Sequence, residues 1–265
     1  MTPYLQTDRA TLYHARAEEV YPHLDPGSVS MVWSDGPYAL GKGEWDRMGI
    51  DGLADWYAPH VEAWGRICAP SATVYLWGTA EGWARLDPVM RAAGWTFGGL
   101  VIWDKEHTPA QLGAAGCSVM LDITEVAGRY TRGAAHFNAK AMGYNVWHLS
   151  EQAYRGERIR ESEPTPDRNP LRGLTFKAAH PCQKPLTFAD RAIRASTRIG
   201  DTILDPYAGT NRIAVACRRL PEEERRHAIG IEMDARWLDA VRPSLVADHG
   251  HAVWARQPSL FGGRA

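Results

Sequence analysis

The sequence is short of cysteine, of long apolar runs and of net charge, and each shortage excludes something. Its 265 residues include four cysteines, at 68, 117, 182 and 217. They show neither close pairing nor metal-ligand spacing, which argues against a disulfide framework and a cysteine-built metal site and reads as reduced thiols in a cytosolic compartment. No apolar stretch approaches the ~18–20 residues of a membrane span. The opening MTPYLQTDRA lacks the charged-then-apolar pattern of a signal peptide, so the expectation is a cytoplasmic protein without a membrane partner. Thirty Lys/Arg against 31 Asp/Glu leave a net charge of −1, too little to identify a polyanion partner by charge alone. Neither G-x-G-x-x-G nor a P-loop occurs, which counts against a bound pyrophosphate and hence against a dinucleotide oxidoreductase.

What is present is an alternation of strand-like and helix-like segments. TLYH and SVSMVW read as strands, and residues 53–68 put Leu53, Trp56, Tyr57, Val61, Trp64, Ile67 and Cys68 on one helical face. SATVYLWG and WTFGGLVIWDK read as strands around a helix at 81–93, whose start Pro88 obscures. Regularity fades after Lys105, where only LDITEVAGRYTR is strand-like, and returns at Pro185. Helices follow at 186–196, 211–220 and 234–246, interleaved with the strands DTILD and RHAIGIE. The fold class is therefore α/β, a doubly wound, mostly parallel, Rossmann-like sheet interrupted by an irregular insertion. No internal repeat is evident. From Lys105 to His180 there are ten Lys/Arg and eight Asp/Glu, a balance of +2 that leaves −3 for the remainder.

Two strand ends carry chemistry-bearing residues. In SVSMVWSDGPYAL an apolar run stops at Ser34-Asp35-Gly36-Pro37-Tyr38. In GDTILDPYAGTNRIAVAC another stops at Asp205 and turns through Pro206, Tyr207, Ala208 and Gly209 into a helix. Doubly wound folds bind ligands beyond the carboxyl ends of their strands, and a glycine there lets backbone approach a ligand closely. HAIGIE then ends in Glu232, an acidic residue suited to accept both hydroxyls of a ribose. The pairing favours an adenosine-containing ligand without a pyrophosphate.

The blocks SDGPY, HPCQKP, LDPYAGT and AIGIE, in this order, resemble the signature blocks of the S-adenosylmethionine-dependent DNA amino-methyltransferases, in the circularly permuted order of the β class. The resemblance runs from about residue 10 to about residue 246. It implies residues 1–105 as the catalytic half, 106–178 as the target-recognition region, 179–248 as the cofactor-binding half and 249–265 as a C-terminal tail. It implies a catalytic tetrapeptide of Asp35, Gly36, Pro37 and Tyr38. Asp35 and the Gly36 carbonyl accept hydrogen bonds from the exocyclic amino group, Pro37 stiffens the turn and Tyr38 stacks on an extruded base. S-Adenosylmethionine is expected against Asp205, Tyr207 and Gly209, with Glu232 on the ribose and Gln183, Lys184 and Pro185 beside the methionine moiety. Lys184 is expected to pair with the cofactor carboxylate. Adenine-N6 is favoured because Asp opens the tetrapeptide, with cytosine-N4 methylation and a catalytically silent DNA-binding relative as alternatives. Two positions depart from the usual blocks: Gly36 stands where proline is usual, and Asn211 stands in place of a second glycine in the cofactor loop, where a left-handed backbone is needed.

Double-stranded DNA is the expected partner. Arg129, Arg132 and Lys140 are candidate DNA contacts, with Arg155, Arg158 and Arg160 beside them. No metal is expected. A homodimer is expected from the resemblance. The tail segment QPSLF resembles the motif by which DNA-processing proteins dock on the replication sliding clamp, through Gln257, Leu260 and Phe261.

Overall fold

The computed structural model describes residues 1–41, 44–105, 124–149, 157, 165–166, 174–175 and 182–246. In chain order its strands are β1 (Leu5–Gln6), β2 (Ala10–His14), β3 (Val29–Ser34), β4 (Cys68–Gly78), β5 (Thr96–Asp104), β6 (Thr124–Thr131), β7 (Val146–His148), β8 (Thr165–Pro166), β9 (Leu174–Thr175), β10 (Thr202–Asp205) and β11 (His227–Glu232). The helices are α1 (Ala17–Val20), α2 (Gly49–Ile67), α3 (Ala80–Ala92), α4 (Ala139–Met142), α5 (Leu186–Ser196), α6 (Arg212–Arg219) and α7 (Ala235–Val246).

Nine strands form one sheet in the order β1-β2-β11-β10-β3-β4-β6-β5-β7, and β8 pairs with β9 apart from it. From β2 to β4 every neighbouring pair is parallel. β6 runs antiparallel to both β4 and β5. The central strands are buried on both faces, which is why their sequences are continuous apolar runs. Met31, Trp33, Tyr75 and Trp77 face the side covered by α5, α6 and α7. Val32, Val74 and Leu76 face the side covered by α2 and α3. In α2 the buried Leu53, Tyr57, Val61 and Trp64 recur every three or four residues and form one face. Pro88 lies inside α3, which begins at Thr79, whose side chain caps the Gly82 N–H at 3.0 Å.

The irregular middle of the sequence contributes more to the sheet than its composition suggests. β6 and β7 both fall within 106–178, the segment assigned to target recognition. Trp147 of β7 is fully buried, with Trp77 at 6.3 Å and Phe188 at 5.1 Å between ring centroids. The segment GYNVWHL is thus an edge strand with a core anchor.

Both departures from the usual blocks are matched by their surroundings. Asn211 adopts the left-handed conformation, φ 49° and ψ 54°, at the start of α6. Its side chain occupies the space beside Gly230, where an added Cβ would lie 1.8 Å from Asn211 Oδ1 and 2.9 Å from Leu12 Cδ2. Gly36 is similarly enclosed, because a Cβ there would lie 2.4 Å from the Tyr57 hydroxyl and 2.7 Å from the Tyr207 ring. Tyr57 and Tyr207 belong to an aromatic cluster with Trp56 and His60, with Trp56 and Tyr207 5.4 Å apart.

Gly230→Ala is expected to lose about 1–3 kcal/mol of stability by overpacking. Adding Asn211→Gly should recover most of it, since glycine suits that backbone and vacates the space. Thermal melting of the single and double variants checks this, and a double variant no more stable than Gly230→Ala would contradict it. Gly36→Pro, which restores the usual residue, is expected to lower the melting temperature and leave methylation no faster. An unchanged melting temperature would show that the two tyrosines yield.

Candidate active site

The carboxyl ends of β3, β10 and β11 lie side by side, because these strands are parallel neighbours. Their last residues or the ones just beyond them, Asp35, Asp205 and Glu232, therefore share one edge of the sheet. β6 enters this edge in the opposite sense, so its first residues, not its last, reach the same place: Trp103 pairs with Glu125, and Gly78 with Val126.

Asp35 follows the buried Ser34, and its Oδ1 accepts hydrogen bonds from the Tyr38 hydroxyl at 2.7 Å and from Lys184 Nζ at 2.5 Å. The turn that brings Tyr38 back onto Asp35 is held from behind. The buried Asp46 carboxylate accepts from three successive backbone N–H groups, those of Tyr38 (2.8 Å), Ala39 (2.6 Å) and Leu40 (3.0 Å). Ala39 is left-handed, φ 62°, a strained state for an alanine that this cradle stabilises.

Lys184 is 4% exposed and reaches the site just ahead of α5. Its ammonium lies 2.5 Å from Asp35 Oδ1 and 2.9 Å from Glu125 Oε2, and faces the rings of Tyr38 and Trp77 at 5.1 and 5.5 Å. Glu125 also binds Lys105 at 2.6 Å and accepts from the Tyr38 hydroxyl at 3.3 Å. Burial opposes charge at Asp35, Lys184 and Glu125. At Glu125 that penalty is outweighed by Lys184 and Lys105, which hold the carboxyl down at about 2. At Lys184 burial is outweighed by Asp35 and Glu125, so the ammonium stays protonated. At Asp35 burial prevails, and the single shared cation only partly offsets it, leaving the carboxyl above its ordinary value.

The second half of the site is the turn after β10. Gly209 is left-handed, φ 50°, and its N–H donates to Glu232 Oε2 at 2.7 Å. The other Glu232 oxygen accepts from the Asp234 N–H at 2.8 Å. Glu232 is thus fixed at the end of β11 beside the glycine turn, its carboxyl raised by burial. Asp205 is buried, its Oδ1 has no hydrogen-bond partner among the described residues, and burial pushes its carboxyl well up. Arg212, the first residue of α6, donates from Nε to the Lys184 carbonyl at 3.0 Å and ties this turn to the segment Gln183-Lys184-Pro185. Gln183 is buried, and Pro185 stands at the start of α5.

Three of the expected site residues are engaged within the protein. Lys184 is directed at Asp35 and Glu125 rather than held free for a cofactor carboxylate. Arg132 donates to the carbonyls of Gly65 and Ala93, at 2.8 and 2.7 Å, and stacks over Trp95, so it closes the ends of α2 and α3. Arg129 is 9% exposed and packs over Phe137 within the sheet layer. Lys140 is exposed on α4, while Arg155, Arg158 and Arg160 lie outside the described residues. Sequence reasoning missed Glu125 and Asp46. The one available signal for Glu125 is an acid near the start of a strand-like run, TEVAGRYT. Asp46 follows a tryptophan in a polar stretch and carries no signal.

The chain matches the DNA methylase family, that of the N6- and N4-amino enzymes, over residues 29–242. It is 25% identical to the DNA adenine methyltransferase YhdJ of Escherichia coli (strain K12), with 90% of this chain and 84% of that protein covered. Among solved structures its fold is like that of the PvuII DNA methyltransferase (cytosine-N4-specific), at a TM-score of 0.71 and 15% identity over 93% of this chain and 90% of that one. It is also like that of M1.HpyAVI in complex with SAM, at a TM-score of 0.61 and 18% identity over 89% of this chain and 99% of that one. With its four blocks gathered on one sheet edge and the family match running through all of them, the chain belongs to the N6/N4 DNA methylase family.

Proposed function

We propose that the chain is a site-specific DNA methyltransferase that modifies the exocyclic amino group of a base lifted out of double-stranded DNA, adenine-N6 in preference to cytosine-N4. The observation that carries this reading is the setting of Asp35. Its carboxylate is fixed by Tyr38 and Lys184 at the mouth of β3, beside the strand end that bears Asp205, whose Oδ1 has no partner among the described residues.

The cofactor is S-adenosylmethionine, whose sulfonium supplies an activated methyl group and whose amino acid portion carries an ammonium. The residues present fit it. A buried carboxylate oxygen without a partner among the described residues, Asp205 Oδ1, suits a cation, and Glu232, held by two backbone N–H groups beside the glycine turn, keeps lone pairs that suit the hydroxyls of a ribose. Asp205, Tyr207, Gly209 and Glu232 hold the cofactor, with Gln183 and Pro185 lining the methionine end. On the base side, the amino group of adenine is a weak nucleophile because its lone pair is delocalised into the ring. Asp35 and the Gly36 carbonyl accept its two N–H bonds and favour a pyramidal nitrogen. The raised carboxyl of Asp35 makes it the better proton acceptor as the nitrogen gains charge. Tyr38 offers a stacking face worth about 1–3 kcal/mol, against the few kcal/mol that unstacking the base costs.

Lys140 contacts phosphate. The protein works as a homodimer, which doubles its phosphate contacts, and Gln257, Leu260 and Phe261, outside the described residues, tether it to the sliding clamp. Among the described residues no helix is long and apolar enough to cross a membrane, and the cytoplasm, where the DNA lies, is the proposed location.

Asp35→Ala should abolish methyl transfer while leaving cofactor affinity measurable. Nucleoside mass spectrometry of treated DNA reads this, and the same measurement on the unaltered protein separates N6-methyladenine from N4-methylcytosine. Cofactor binding at mildly acidic pH should release protons, because Asp205 and Glu232 sit above their ordinary values when unliganded and ionise against a cation and hydroxyl donors. Calorimetry in two buffers of different ionisation enthalpy measures this. Glu232→Ala should weaken binding about 10- to 150-fold, the worth of one charged hydrogen bond. Equal heats in both buffers would remove the carboxylates from this role.

A further inference from the structure

The cation that faces Asp35 is shared. Lys184 lies between Asp35 Oδ1 at 2.5 Å and Glu125 Oε2 at 2.9 Å, and Glu125 is bound in turn by Lys105 at 2.6 Å. The four groups alternate in sign as Lys105, Glu125, Lys184 and Asp35. Lys105 is 39% exposed at one end, Lys184 is 4% exposed in the middle, and Asp35, 17% exposed, stands at the other end. A buried ion pair needs only two partners to be compensated. The additional carboxylate therefore calls for an explanation, and a purely structural bridge from β6 to α5 gives no reason for Asp35 to be on the same lysine.

We propose that Glu125 is a positioning residue for methyl transfer: by sharing the Lys184 ammonium, which lies 2.5 Å from Asp35 and 2.9 Å from Glu125, it keeps that cation from fully neutralising Asp35, and so keeps the Asp35 carboxylate a strong acceptor for the amino group of the base. This rests on the assignment of Asp35 as the acceptor. Glu125 is suited to the task because β6 is antiparallel to its neighbours and delivers an early residue to the edge where they deliver their last. The Tyr38 hydroxyl, 2.7 Å from Asp35 and 3.3 Å from Glu125, spans the same two carboxylates. Among the described residues, the titratable groups facing Asp35 are Tyr38 on its own turn, Lys184 ahead of α5, Glu125 on β6, Asp205 on β10 and Tyr57 on α2. Of these, Lys184 favours the ionised carboxylate through its charge and Glu125 opposes it.

Removing Glu125 and removing Lys184 should therefore move Asp35 in opposite directions, which loss of a structural brace would not do. Carboxyl-13C NMR of the whole protein labelled at aspartate, with Asp35 identified by its loss in Asp35→Asn, reads this without turnover. Glu125→Gln should lower the Asp35 midpoint by about one to two pH units, and Lys184→Met should raise it by a similar amount or more. Tritium transfer from S-adenosylmethionine to unmethylated plasmid DNA should fall about 10-fold or more in kcat for Glu125→Gln, with its acid limb displaced to lower pH and the cofactor Kd little changed. A midpoint unmoved by Glu125→Gln, or moved the same way by both variants, would overturn the proposal. If Glu125→Gln fails to fold, Lys105→Met tests it from the exposed end. Glu125 then leans wholly on Lys184, the Asp35 midpoint rises, and an unchanged midpoint overturns the proposal. Asp35→Ala with near-normal turnover would remove the underlying reading as well. A dead Asp35→Ala beside an unmoved midpoint in Glu125→Gln removes only the role of Glu125.

Discussion

Burying Lys184 is the constraint around which the site is organised. An ammonium taken out of water must be matched by anions at hydrogen-bond range or lose its proton. Here the match comes from two sequence-distant segments, the turn after β3 and the first residues of β6. The lysine cannot be satisfied until the sheet has assembled, and once satisfied it fixes the relative position of the two segments. Its backbone carbonyl, bound by Arg212, adds the cofactor turn to the same assembly. The turns after β3 and β10 are thus held in register by one residue that lies on neither.

Rigidity around that residue is supplied by fit more than by additional charge. Asp46 gathers three N–H groups of the turn, and the Tyr57 and Tyr207 rings press against Gly36 so closely that no side chain fits. A proline would restrict the turn from within, through its own ring. Glycine with two tyrosines restricts it from outside, by packing. The same exchange occurs in the cofactor loop, where a left-handed Asn211 fills the space that a glycine at 230 leaves open.

The sheet and its helices were legible because their apolar residues recur with the right period, as in Leu53, Tyr57, Val61 and Trp64, and because the catalytic and cofactor blocks sit at strand ends, where any sequence reading looks first. Glu125 was hidden because strand direction cannot be read from composition. In a parallel sheet only last residues matter, and β6 breaks that rule. The packing of Arg129 and Arg132 was hidden for the opposite reason: in a polar, glycine-rich stretch a basic residue suggests a surface, yet the first packs over Phe137 and the second caps two helix ends. Lys184 was placed in the right neighbourhood by its block, but its partners come from far along the chain and leave no local trace.

The reversed direction of β6 has one more consequence. β5 finishes at Asp104 and β6 begins at Thr124, and the two are paired at that end, Asp104 against Thr124. A connection between them is an excursion whose two anchors stand side by side, near the edge that carries Asp35, Asp205 and Glu232. Lengthening such an excursion adds little to the entropy of closing it, which grows only with the logarithm of its length. The scaffold is in this sense a socket: the stretch between its two contacts can be exchanged or resized while Glu125, one residue past the second contact, stays where it is.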